Sequence, residues 1–189
     1  MKVRGSLEFL SFQVQPRQKG GSMSNIIMLI ENGYEDVEAL YPFYRMQEAG
    51  HKVVVAGPKT GAYLSKHGYP LEAKKAAEDV RTADFAGLII PGGQAPDKMR
   101  IHASMVRLVR DAFDKGLVVG AICHGAQVLI EADVLRGKKA TCYISVKTDV
   151  INAGADYVDA SVVVDGRLVT SRHPGDLPDY CRTLVEMLA

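Results

Sequence analysis

From Asn25 onward, short apolar runs rich in β-branched residues alternate with stretches whose apolar positions recur every three or four residues. A parallel sheet covered by helices on both faces needs that alternation, because each crossover between parallel strands is long enough to hold a helix. The segments "NIIMLI" (25–30), "KVVVAG" (52–57), "AGLIIPGG" (86–93) and "LVVGAI" (117–122) predict buried strands, the last and most apolar of them a central one. A helix is predicted over 35–49, with Val37, Leu40, Tyr41 and Tyr44 at helical spacing, Pro42 as a kink and Gly50 as the stop. Others are predicted over 101–115, with Met105, Leu108, Val109 and Ala112 inward, over 125–135, over 146–153, and from about Asp176 with Pro178 in its first turn. "AYLSKHGYPLEA" predicts a peripheral hairpin turning at His67-Gly68, and "KATCYI" a short strand. "ASVVVDGRLVTS" predicts a hairpin around Asp165-Gly166 in a type I′ turn. The fold class is therefore α/β: a doubly wound parallel sheet sandwiched by helices.

A chain of 189 residues is long enough for one well-buried domain. Residues 25–189 are assigned to that domain, and residues 1–24 to a leader or extension. The leader lacks a secretory apolar core, Met23 would serve as a natural start, and an ordered leader would dock on its own sheet or on a neighbouring chain. The 23 basic and 22 acidic residues nearly cancel, and no Lys/Arg block tracks phosphates, so nucleic acid is not an expected partner. No apolar stretch reaches the ~20 residues that span a bilayer, so no membrane partner is expected either. Three widely spaced cysteines without a CxxC pair argue against a disulfide framework and a zinc site, and fit a reducing, cytoplasmic setting. Neither GxxxxGK[ST] nor GxGxxG occurs, so no nucleotide, other cofactor or metal is expected.

In an open parallel sheet, ligands bind outside the carboxyl ends of the strands. Four predicted strand ends carry chemistry there: Glu31, Glu35 and Asp36 in "ENGYED", then Gly92 and Gly93, then Cys123 and His124 in "GAICHGAQ", and Arg172 with His173 as accessory candidates. A strand, a cysteine and a glycine-containing helix start make a nucleophile elbow, with Gly120 and Gly125 leaving room for the side chain. A helix amino terminus there would pull the thiol below its usual ~8.5. The N–H groups of Gly93 and His124 form a candidate oxyanion hole. Cys142, in a strand, and Cys181, on the inward side of a helix, are read as packed small residues; His51, His67 and His102 as solvated turn residues.

"ENGYEDVEALYPFYRMQEAGHKV", "KHGYPL", "LIIPGGQAPDKMR", "AICHGAQVLIEADVLRGKKAT" and "DVINAGADYVDASVVVDGRLVTSRHPGDL" together resemble the PfpI-like branch of the ThiJ/PfpI superfamily, whose fold is like that of class I glutamine amidotransferases. The resemblance runs from about residue 25 to the end. It implies a flavodoxin-like sandwich, assembly as a homo-oligomer (dimer or hexamer), a reactive Cys123 with His124 beside it, and Glu35 as the acid on the thiol. Such an acid must stay protonated to donate, which calls for a dry site. Peptidase-like members carry a glutamate across a subunit contact, where this chain has Asp97 in "QAPDKM" as the candidate acid in trans.

The resemblance implies a cysteine-dependent, cofactor-independent stress-protection enzyme for reactive carbonyls, of glyoxalase III or protein-deglycase type. In it the thiolate adds to an aldehyde such as methylglyoxal, and Glu35 and His124 move protons through an enediol toward lactate. Two alternatives stand beside it: an intracellular cysteine peptidase of PfpI type acting on a peptide, and a non-enzymatic redox-sensing or chaperone-like module. A glutamine amidotransferase needs a His-x-Glu pair after the elbow, and His173-Pro174-Gly175 lacks the acid.

Overall fold

The structure, a computed structural model, describes residues 23–189. The leader expectations fall on residues 1–22, outside the described residues, as does most of the segment assigned ahead of the domain.

Strand β1 (Asn25–Leu29) is followed by helix α1 (Asp36–Glu48), β2 (Lys52–Gly57), the antiparallel pair β3 (Gly61–Leu64) and β4 (Pro70–Ala73), and the short β5 (Lys75–Ala76). Then come β6 (Gly87–Ile90), α2 (Ala95–Met99), α3 (Ala103–Asp114), β7 (Val118–Ile122) and α4 (Ala126–Glu131). The chain closes with β8 (Lys139–Ala140), α5 (Lys147–Asn152), β9 (Asp156–Tyr157), β10 (Val162–Asp165), β11 (Leu168–Ser171) and α6 (Leu177–Leu188). The main sheet has the order β10-β11-β7-β6-β1-β2-β5 and is parallel except for β10 at one edge. Helices α1 and α6 cover one face, and α3 and α4 the other, so strands β1, β6 and β7 are buried on both sides. The doubly wound sandwich thus stands as expected. Burial of both faces explains why these strands carry unbroken apolar runs instead of alternating ones.

Local expectations hold where the apolar period is unambiguous. In α3, Met105, Leu108, Val109 and Ala112 are the buried residues, and β7 is buried throughout. Pro178 sits in the first turn of α6, where its missing N–H would have no helical partner in any case. Three details depart from expectation. The apolar stripe of α1 faces outward: Val37, Tyr41 and Tyr44 are exposed, and the inward face is Glu38, Ala39, Pro42 and Met46. The last hairpin pairs Asp165 with Leu168 around Gly166-Arg167, and of these only Gly166 has positive φ (61°), whereas a type I′ turn needs two such residues. "KATCYI" contributes only Lys139–Ala140 to a strand, which leaves Cys142 buried in a loop.

Candidate active site

Strand β7 ends in extended backbone at Ile122, and the next residue, Cys123, turns to φ 60°. A side-chain-bearing residue pays strain of ~1–3 kcal/mol for that conformation, and the turn throws the thiol out above the sheet. This is the expected elbow. The room that Gly120 leaves is taken by Tyr180, because a Cβ there would lie 2.5 Å from the Tyr180 hydroxyl. The glycine that matters to Cys123 is Gly92, where an added Cβ would lie 2.7 Å from the Cys123 Cβ and 2.5 Å from Glu38 Oε2.

Glu38, and not Glu35, provides the carboxyl beside the thiol. It is fully buried on the inward face of α1, its Oε2 accepts the Gly92 N–H at 2.9 Å, and its carboxyl interacts with the Cys123 sulfur. Burial pushes this acid up to about 7, against the hydrogen bonds from Cys123 and Gly92 that favour its ionised form. Glu35 lies one turn earlier, outside the core, and its Oε2 pairs with Lys66 Nζ at 3.2 Å. The expectation for Glu35 fails because Asp36 is the first residue of α1, so only positions 38, 39, 42 and 46 turn toward the sheet.

Burial also pushes the Cys123 thiol up to about 12, and the neighbouring Glu38 charge adds to it; the N–H groups of His124 and Gly93 pull the other way. The expected depression by a helix amino terminus is outweighed. Helix α4 is six residues long and begins only after the 3₁₀ turn Cys123–Gly125, so few peptide dipoles align toward the sulfur. A protonated Glu38 donates to the sulfur, whereas an ionised one repels a thiolate. The pair therefore shares protons as one unit. The N–H groups of Gly93 and His124, the expected oxyanion donors, lie near enough to the sulfur to pull its value down.

His124 Nδ1 lies 3.2 Å from Cys123 Sγ, and its Nε2 lies 3.3 Å from Ser145 Oγ. Tyr143 stacks on the ring at 5.0 Å between centroids. Burial, and then the charge of Lys66, hold the imidazole below its usual value, so it is neutral at pH 7.

The β3–β4 hairpin is not peripheral. Gly33 N–H donates to the Leu64 carbonyl, Lys66 N–H to the Tyr34 carbonyl, and the Tyr34 hydroxyl to the Tyr69 carbonyl at 2.6 Å. Asp36 accepts from the Ser65 hydroxyl at 2.5 Å and pairs with His67 Nδ1 at 2.7 Å. These bonds lay the hairpin tip against the loop before α1 and bring Lys66 close enough to act on both Cys123 and His124. His67 is exposed as expected, yet it is paired. His51 is buried, contrary to expectation, and burial holds it below its usual value. His102 precedes α3 and faces Glu31 at 3.6 Å. Glu35, Asp36 and His67 bring donor atoms within 4.8 Å of one another, but Lys66 and Ser65 already occupy the carboxylates.

Asp97 lies on the exposed side of α2, beside a groove lined by Arg100, Arg107 and Arg110. Arg172 is committed to Asp176 through two bonds of 2.9 and 3.1 Å and to Asp159 at 2.7 Å. His173 Nδ1 accepts the Gly175 N–H at 3.2 Å. These two residues order the loop before α6, which explains their polar atoms without a role at the thiol. Cys142 and Cys181 are buried, and burial pushes each up to about 12. Sequence reasoning passed over Glu38, Lys66, Tyr143 and Ser145; for Glu38 the available signal was its phase with Pro42 and Met46 along α1.

A model of the DJ-1/PfpI family matches residues 24–187. The chain is 44% identical over 163 residues to "Deglycase PfpI" of Pyrococcus furiosus, covering 86% of this chain and 98% of that protein. It is 41% identical over 164 residues to "Putative cysteine protease YraA" of Bacillus subtilis, covering 86% and 97%. Among solved structures it resembles a two-domain protein from Anabaena variabilis with DJ-1/ThiJ/PfpI-like and ferritin-like domains, at TM-score 0.86 and 43% identity; the match covers 87% of this chain and 48% of that one. No helix among the described residues is long and apolar enough to cross a membrane.

Proposed function

The chain belongs to the DJ-1/PfpI family, and from that premise we propose that it is a cysteine-dependent, cofactor-independent enzyme that acts on small reactive carbonyls, of glyoxalase III or protein-deglycase type. The observation that carries this reading is the contact of the Cys123 thiol, on its strained elbow, with a buried Glu38 carboxyl raised to about 7 on one side and a neutral His124 on the other. A thiol that is protonated at rest suits an aldehyde, whose carbon accepts sulfur while a base removes the proton.

In this reading the Cys123 sulfur bonds to the aldehyde carbon of methylglyoxal. The thiol proton passes to His124 Nδ1 and from there to the carbonyl oxygen, which is held by the Gly93 and His124 N–H groups and becomes a hydroxyl. His124 and Glu38 then move the proton from that carbon to the neighbouring carbon, and the hydroxyl proton to that neighbour's oxygen, through an enediol, leaving a lactoyl thioester. Water cleaves the thioester, releasing lactate and restoring the thiol, so the sum is methylglyoxal plus water to lactate. Removal of early glyoxal adducts from proteins uses the same first addition, and a relative's name, deglycase, supports it. Assembly as a homo-oligomer belongs to the reading too, supported by the exposed Val37, Tyr41 and Tyr44 on α1. The test is to follow lactate after adding methylglyoxal, beside a peptide-hydrolysis assay.

A cysteine peptidase is the second reading, favoured by the pair of N–H groups at the sulfur and by the name of the Bacillus subtilis relative. An amide is a poorer electrophile than an aldehyde and gains more from a preformed thiolate. A thiol held high by burial therefore supports the first reading over this one.

A further inference from the structure

We propose that Ser145 is a positioning residue for His124, orienting the imidazole from within its own chain. Each ring nitrogen already has a partner in one chain: Nδ1 faces Cys123 Sγ at 3.2 Å and Nε2 faces Ser145 Oγ at 3.3 Å. A neutral imidazole carries its proton on one nitrogen, and a hydroxyl at Nε2 that accepts this proton leaves Nδ1 as the acceptor facing the thiol. That is the tautomer a base toward Cys123 needs.

The hydroxyl is delivered by backbone tied to the elbow. Tyr143 N–H donates to the Cys123 carbonyl at 3.2 Å, and Val146 N–H to the Tyr143 carbonyl at 2.9 Å. Val146 anchors the 3₁₀ turn Ile144–Val146 in the core, while Tyr143 stacks on the ring and fixes its plane. Ser145 thus meets the Nε2 side of the ring from within one chain. The Ser145 hydroxyl is exposed and its bond is long, so its effect is that of one ordinary hydrogen bond, about two- to tenfold.

The inference rests on His124 serving as base in the proposed reaction, but its test does not pass through turnover. Imidazole ¹⁵N–¹H correlation spectra of the ¹⁵N-labelled full chain at about pH 7.5, above the ordinary imidazole range, report the tautomer; His124→Gln identifies the signals. The expected result is a proton on Nε2 in the unaltered protein and a mixture of tautomers in Ser145→Ala. Alkylation of Cys123 by iodoacetamide should slow about two- to tenfold at unchanged Tm, with Ser145→Thr restoring both. The inference is overturned if Ser145→Ala keeps the original tautomer and alkylation rate, or if Asp97→Asn shifts the tautomer as Ser145→Ala is expected to. A protein that makes no lactate yet shows the expected tautomers would refute the carbonyl reading alone.

Discussion

Glu38 is completely buried and sets its carboxyl against the Cys123 sulfur, with the Gly92 N–H held on Oε2 at 2.9 Å. Its other oxygen has no hydrogen-bond partner among the described residues. A carboxyl so placed costs stability when ionised, and a fold that keeps it must gain something chemical. In the proposed reaction that gain is a proton donor and acceptor beside the Cys123 sulfur.

Glu38→Gln is expected to lower carbonyl turnover by about 10²–10⁴, the usual loss when a general acid–base group is removed. Glu35→Gln is expected to cost less than about tenfold, since Glu35 pairs with the exposed Lys66 at the rim. Steady-state kinetics of the two variants decide the point, and the reverse order would return the role to Glu35.

The same carboxyl predicts how stability depends on pH. Its folded value is raised from 4.5 to about 7, so the folded state favours the protonated form. Below about 4.5 both states are protonated and nothing is lost. As pH rises toward about 7 the unfolded chain releases the proton first, stability falls by about 3 kcal/mol in total, and the loss then levels off. Glu38→Gln removes this dependence. Denaturant titrations should show the variant gaining on the unaltered protein between about pH 4 and about pH 8, and parallel curves would contradict the buried-acid account.

How much of this was visible beforehand depends on whether a residue's neighbours are local in sequence. Strands β1, β6 and β7 and the inward face of α3 follow from apolar runs and periods, because burial on the sheet imposes them. Cys123 at the elbow, with the Gly93 and His124 N–H groups near its sulfur, follows from a strand that ends in a tight turn. Glu38 was hidden because α1 turns an apolar stripe, Val37, Tyr41 and Tyr44, toward solvent, so hydrophobic phase pointed to the wrong face. Lys66 and Ser145 lie 57 and 22 residues from Cys123 in the chain, and only tertiary hydrogen bonds bring them to the site.

Gly92→Ala should abolish turnover, because its Cβ would fall 2.5 Å from Glu38 Oε2 and 2.7 Å from the Cys123 Cβ, closer than real contacts allow. Either the acid or the elbow must move. Thiol labelling and thermal melting would distinguish a displaced site from an unfolded protein, and a variant with ordinary activity would refute the packing drawn around the sulfur.

Cys123 should be alkylated before the other two cysteines, since Cys142 and Cys181 are 1% and 0% exposed against its 7%, and neither adjoins His124. Lys66→Met should slow that alkylation by less than about fivefold by removing an exposed positive charge that acts on the sulfur. Peptide mapping after brief iodoacetamide treatment checks both, and earlier modification of Cys142 or Cys181 would count against the assignment.

The most direct measurement is lactate formed from methylglyoxal by the purified protein and by Cys123→Ser side by side, with Tm recorded for both. The account predicts lactate from the first, a loss of several orders of magnitude in the second, and closely similar Tm values. Lactate production undiminished in a folded Cys123→Ser protein would contradict it.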